Sequence, residues 1–171
     1  MTDGPRGDVF GPFVPLLRSP VAMTRLQHLG QYLRFESTLP RDLFEMAVLL
    51  TARARDQDFE WAYHAPLART AGVPEPVIHA IAHDAEPENL ETRAFTAHRL
   101  VAASLHTNEI DDETYDEAVA CLGAEWVIDL VVTAGYYSTL AMVMNLARTP
   151  VLEDSSDLAI FRSPRTKASP Q

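Results

Sequence analysis

From Leu130 to Met144 the sequence carries no charged side chain, and this run decides more about the fold than any other feature. Asp129 bounds it on one side, and a bilayer span needs roughly 20 apolar residues, so the segment reads as a buried helix and no membrane contact is expected. Its apolar residues surround the helix axis. Such a helix needs cover on several sides, from the rest of the chain or from a second copy, and a homo-oligomer is the expectation.

The remaining sequence supplies helices to provide that cover. Met23, Leu26, Leu29, Tyr32 and Leu33 recur at three- and four-residue spacing and predict a helix from Val21 to about Phe35. Pro40 suits the first turn of a second helix running to about Arg55, with Asp42 and Glu45 near its positive end. Asp56 or Asp58 can cap a third helix that ends at Ala71 before Gly72. A short helix to about His83, a polar loop over Asp84 to Asn89 and a helix over Leu90 to Leu105 follow. Asp111 or Asp112 caps a helix ending at Gly123, and Glu125 to Arg148 forms the last long one.

No segment shows sustained strand alternation, and seven glycines are few for a sheet protein with many tight turns, so the class is all-α. The organisation reads as an extended N-terminal arm over 1–19, one helical domain over 20–149 and a loosely ordered Ser- and Pro-rich tail over 150–171. A chain of 171 residues with 47% hydrophobic content can bury an ordinary single core.

Composition also excludes several functions. A net charge of −10 opposes phosphate backbones and anionic lipid, so no nucleic-acid partner is expected. The single cysteine, Cys121, rules out an intramolecular disulfide or a CxxC redox pair, and it reads as a buried, inert thiol. With no secretory pattern in MTDGPRGDVF, a reducing cytoplasmic setting is expected. Neither GxGxxG nor GxxxxGK is present, and no nucleotide or other cofactor is expected.

The stretch with chemical content is Arg41-Asp42-Leu43-Phe44-Glu45, followed by Glu60-Trp61-Ala62-Tyr63-His64. Glu60 and His64 lie four apart and share a helix face, where a carboxyl and an imidazole can exchange a proton. Glu45 can join them from the preceding antiparallel helix if the turn at 56–58 brings the two helices face to face. Two carboxyls around one imidazole suit proton abstraction beside a carbonyl, or protonation of the enolate left by decarboxylation. Against this stands the ordinary i,i+4 Glu and His pair of an exposed helix, worth about 0.2–0.5 kcal/mol.

An RxxxE helix, a short turn, and an EWxxH helix ending in Ala68, Ala71 and Gly72 resemble the carboxymuconolactone decarboxylase family, whose superfamily includes the alkylhydroperoxidase D (AhpD) proteins. GPFVPLLRSP is similar to the arm that often opens those decarboxylases. The resemblance implies an AhpD-like helical bundle in which Glu45, Glu60 and His64 are catalytic, acting on a small molecule without a cofactor. In the peroxidase branch the motif is CxxCxxxH; His64 matches its histidine and Glu45 the preceding glutamate, but Gln57 and Glu60 stand at the cysteine positions. The likeness therefore points to the branch lacking CxxC. Peroxidase activity and a noncatalytic scaffold role remain the alternatives.

Other candidates have plainer readings. His79 and His83 share the four-residue spacing of a metal pair, with Glu75 or Glu86 nearby, but no third ligand is compelling and no metal is expected. His28, His98 and His106 read as structural, and Trp61 as a core residue. Tyr136 and Tyr137 read as buried tyrosines bonded to a carbonyl rather than as pocket hydroxyls. Arg53 reads either as an exposed helix-end cation or as a partner for a carboxylated substrate.

Overall fold

The structure is a computed structural model and describes residues 10–107, 109–151 and 156–162. Among these residues there is no strand, in agreement with the all-α expectation. The elements are α1 (Phe13–Leu16), α2 (Pro20–Gln31), a π-helical turn (Tyr32–Glu36), α3 (Arg41–Ala54), α4 (Asp58–Thr70), α5 (Glu75–Ala82), α6 (Thr92–His106), α7 (Asp112–Leu122), α8 (Ala124–Ala147) and α9 (Ser156–Phe161).

The centre of the bundle is α3, which packs on α4, α5, α6 and α8 and buries residues all around its axis, from Leu43 to Arg53. Helix α8 is, among the described residues, the one helix long and apolar enough to cross a membrane, yet 61% of its most apolar window is buried inside the fold. The buried side of this run packs against α3, α6 and α7.

Several local expectations are corrected. Helix α4 is capped by Gln57, whose side-chain oxygen accepts from the Phe59 amide at 2.7 Å, and not by Asp56 or Asp58. Asp56 instead takes a left-handed conformation (φ 49°) that closes the turn, and it pairs with Arg53. Pro40 stands one residue before α3 with extended backbone, so it precedes the helix and does not lie in its first turn. Helix α2 does not continue regularly to Phe35 but widens into the π turn.

The arm and the tail also differ from expectation. Residues 13–16 form a helical turn with Leu16 buried, and Phe10 leans on Phe59 and Tyr63 with ring centroids 6.3 and 6.0 Å away. In the tail, α9 docks through buried Leu158 and Phe161; Phe161 stacks on Trp61 at 4.8 Å, and the Trp61 indole donates to the Asp157 carbonyl at 3.1 Å. Apolar anchors hold this segment although its flanks are polar. Residues 1–9 of the expected arm, and 152–155 and 163–171 of the expected tail, lie outside the described residues.

Candidate active site

Helices α3 and α4 pack directly on each other, and their facing sides carry the three residues singled out by the motif. Glu45 is 0% exposed, Glu60 3% and His64 3%, so none is a solvated surface charge. His64 Nδ1 lies 2.7 Å from Glu45 Oε2, and His64 Nε2 lies 3.4 Å from Glu60 Oε2. The imidazole thus sits between two carboxyl groups, one bonded closely and one held loosely.

The RxxxE spacing has a local cause. Arg41, one turn before Glu45 and 43% exposed, brings Nη2 to 2.5 Å from Glu45 Oε1. This contact is an ion pair without hydrogen-bond alignment, because Glu45 Oε1 has no hydrogen-bond donor. The Arg41 guanidinium also lies over the Phe44 ring at 4.5 Å. Arg41 therefore supplies charge at the mouth while His64 supplies the directed bond.

Glu60 is the least satisfied member. Its Oε1 is buried without a hydrogen-bond partner. Burial pushes its carboxyl above the usual range; His64 and Arg34 pull it back down, and Glu45 adds to the rise. Its place in the first turn of α4 favours the anion through the helix dipole, but desolvation outweighs that effect. A carboxyl in this balance can hold a proton that an exposed glutamate would release.

The space beside these groups is a cavity of about 40 Å³, lined by Phe10, Phe13, Arg34, Glu60, His64 and Tyr137 among others. The sequence pattern does not single out Arg34, and it favours a structural role for Tyr137, whose hydroxyl belongs instead to a cavity-lining side chain. Arg34 lies inside the π turn, a bulge type often found at functional sites, and a regular α2 pattern conceals it. Tyr137 meets His64 edge-on at 5.0 Å, and its buried hydroxyl has no partner, contrary to the expected carbonyl bond. Burial raises the phenol well above its ordinary value, so it stays neutral. The Tyr136 hydroxyl instead accepts from Arg34 Nη2 at 3.4 Å.

Asp129 on α8 fixes the π turn. The Tyr32 hydroxyl reaches its carboxylate at 3.1 and 3.2 Å, and the Ser37 hydroxyl donates to it at 2.5 Å, so both flanks of the turn are held to one side chain. Gly30 is needed for close packing here, since a Cβ at that position would fall 2.2 Å from the Tyr136 hydroxyl oxygen.

The other candidates lie elsewhere. Arg53 is buried, donating to the Ala82 and Phe161 carbonyls at 2.9 and 2.8 Å, and so it is neither the exposed cation expected nor a group in the cavity of His64. It helps line a larger cavity of about 320 Å³ with His98, Arg99 and His106. Burial lowers the His98 imidazole, with Glu86 opposing, and none of the motif residues reaches that space. Size alone favours the larger cavity, but the converging buried acid and base groups belong to the smaller one. His79 and His83 have rings 4.2 Å apart, and His83 Nδ1 meets the His79 carbonyl at 2.8 Å. Cys121 is exposed on α7, not buried as expected.

Fold and site together define a helical bundle with a buried carboxyl–imidazole–carboxyl cluster between two antiparallel helices. The sequence model of the carboxymuconolactone decarboxylase family matches residues 20–103, the segment that holds Arg34, Glu45, Glu60 and His64. A solved structure from Agrobacterium tumefaciens, a protein of unknown function given as a candidate antioxidant defence protein AhpD, superposes with a TM-score of 0.69 at 16% identity. The match covers 81% of this chain and 96% of that one. No curated protein matches the sequence. The chain thus shares the fold of the AhpD-like structure, and its residues 20–103 match the carboxymuconolactone decarboxylase family.

Proposed function

We propose that the protein is a cofactor-free acid–base enzyme acting on a small carbonyl or lactone compound, by decarboxylation or proton transfer at the carbon beside the carbonyl. The observation that carries this reading is the buried series Glu45, His64, Glu60, with 2.7 and 3.4 Å separations. With Nδ1–H donated to Glu45, the Nε2 lone pair and the Glu60 carboxyl face the same space.

In a decarboxylation the bond between the α-carbon and the carboxylate breaks, CO₂ leaves, and the electron pair moves to the carbonyl oxygen as an enolate. The enolate carbon then takes a proton from the Glu60 and His64 pair, and water restores it. Closing the site to bulk water strengthens each of these electrostatic contacts. The neutral Tyr137 hydroxyl, lacking any other partner, is placed to donate toward a developing oxyanion.

A thiol peroxidase cycle finds less support, because none of the residues lining the cavity is a cysteine and Cys121 is exposed on α7. A noncatalytic scaffold role gives no account of the unsatisfied Glu60. We further infer a homo-oligomer in the cytoplasm: Ile128, Val131, Met142 and Leu146 expose an apolar stripe along α8 that a second copy would cover. Replacing Met142 and Leu146 by aspartate should lower the sedimentation coefficient.

The test is CO₂ release from a series of carboxylated carbonyl and lactone compounds of increasing size, by the wild-type protein and His64→Gln. A drop of about 10²- to 10⁴-fold is expected from removal of the general acid–base group. Unchanged turnover in His64→Gln contradicts the assignment. Peroxide consumption abolished by Cys121→Ser would favour the peroxidase reading instead.

A further inference from the structure

Arg34 is the charged group lining the cavity whose chemistry the acid–base reading leaves unused. A guanidinium carries five N–H donors and keeps its charge throughout the physiological range. Here it makes a single hydrogen bond among the described residues, the 3.4 Å contact to Tyr136, while Nε is buried with no acceptor. No carboxylate among the described residues forms an ion pair with it.

Six other arginines, Arg41, Arg53, Arg69, Arg93, Arg99 and Arg162, each pair with an aspartate or glutamate. Arg55, part-buried like Arg34 and also without an ion pair, does not line this cavity. Arg34 is half-buried, and partly withdrawing a guanidinium from water without a counterion is unfavourable, so the fold must restrain it. The restraints are present: the π turn that carries Arg34, Asp129 holding both flanks of that turn, and Gly30 leaving room for the Tyr136 hydroxyl. Arg34 is thus held, incompletely bonded, at the wall of the same cavity as Glu60 and His64.

We propose that Arg34 is the specificity-determining residue of this site, receiving a carboxylate of the substrate that is retained through the reaction while Glu60 and His64 act on a neighbouring carbon. The proposal rests on the acid–base reading above. The carboxylate must be a retained one, because a group leaving as CO₂ loses its charge in the transition state. A guanidinium bonded to it would stabilise the ground state more than the transition state and raise the barrier.

A proton linkage follows. The groups acting on Glu60 are His64 from its own helix, Glu45 from α3 and Arg34 from the π turn, with Tyr136 and Tyr137 on α8 coupled to it. Among them Arg34 supplies a fixed positive charge. A carboxylate seated on Arg34 offsets that charge and adds repulsion, so binding loads a proton onto Glu60, the form that can protonate the enolate carbon.

The experiment uses acetate and its neutral isostere acetamide as probes, since a cavity of about 40 Å³ admits a molecule of this size. Backbone amide shifts of the full chain are followed by NMR in a buffer without other carboxylates. Acetate is expected to give saturable shifts at Arg34, Glu60 and His64, at least tenfold stronger in affinity than acetamide. Arg34→Gln should lose at least tenfold in acetate affinity, and Arg34→Lys, which keeps a point charge but not the fork, should lose less. Acetate binding should take up protons from weakly buffered solution in the wild type and not in Glu60→Gln.

Equal binding of acetate and acetamide by the wild type overturns the proposal without needing any variant to fold, as does full acetate affinity in Arg34→Gln. Absence of proton uptake in the wild type refutes the linkage. No turnover is involved in these readouts. Failure of the His64 test therefore leaves anion binding standing, and absent acetate binding beside His64-dependent turnover refutes the role of Arg34 alone.

Discussion

Two buried carboxyl groups, Asp129 and Glu60, are built into the fold by opposite rules. Asp129, 6% exposed, accepts from the hydroxyls of Tyr32 and Ser37 and joins α2, the π turn and α8. Glu60, 3% exposed, has one oxygen with no hydrogen-bond partner and the other 3.4 Å from an imidazole nitrogen. A satisfied buried carboxylate is a structural clamp, whereas an unsatisfied one retains a free energy that a ligand or a proton can release. On the proposed function, the difference separates residues that hold the site from those that work in it.

The largest expected effect breaks the working cluster. His64→Gln should reduce turnover by about 10²- to 10⁴-fold while shifting the thermal midpoint by only a few degrees, because the side-chain volume is largely kept. Paired kinetics and calorimetry check this split. Next is the clamp: Asp129→Ala removes a buried carboxylate that accepts from two part-buried hydroxyl groups, and should cost about 2 kcal/mol in denaturant unfolding, the scale of hydrogen bonds to a charged acceptor. Turnover by the fraction that remains folded should fall as well, through Arg34.

A smaller effect distinguishes the clusters by pH. Because the Glu60 carboxyl is raised above its ordinary 4.5, the folded state binds its proton more tightly than the unfolded chain. The stabilisation is then present at low pH and is lost as pH rises through the ordinary value toward the raised one. Glu60→Gln should flatten that decline, so that the variant equals or exceeds the wild type above the raised range, in urea unfolding read at several pH values. The smallest effect is a control: the part-exposed Arg93–Asp42 pair, at 2.9 Å, should change stability by less than about 1 kcal/mol on Asp42→Asn.

The helical architecture was readable because periodic apolar residues report burial whatever partner they meet, and Gly72 and Gly123 end helices where their positive φ values are required. Glu45, Glu60 and His64 were readable because RxxxE and EWxxH encode i,i+4 contacts within single helices. Arg34 was hidden, since nothing in the local pattern of α2 announces that Asp129, distant in sequence, will hold the turn open. The docking of α9 through Leu158 and Phe161 was hidden for the same reason: two anchors in a polar segment acquire meaning only when Trp61 is brought beneath them.

The central claim is that the loosely held Glu60 and its His64 partner deliver a proton to carbon. The most direct measurement is turnover of a carboxylated lactone in deuterated water, with the product read by NMR in the wild type and in His64→Gln. The account predicts one deuterium at the carbon that lost CO₂, with formation of that labelled product falling by orders of magnitude in the variant. Equal rates of labelled product from both proteins would contradict it.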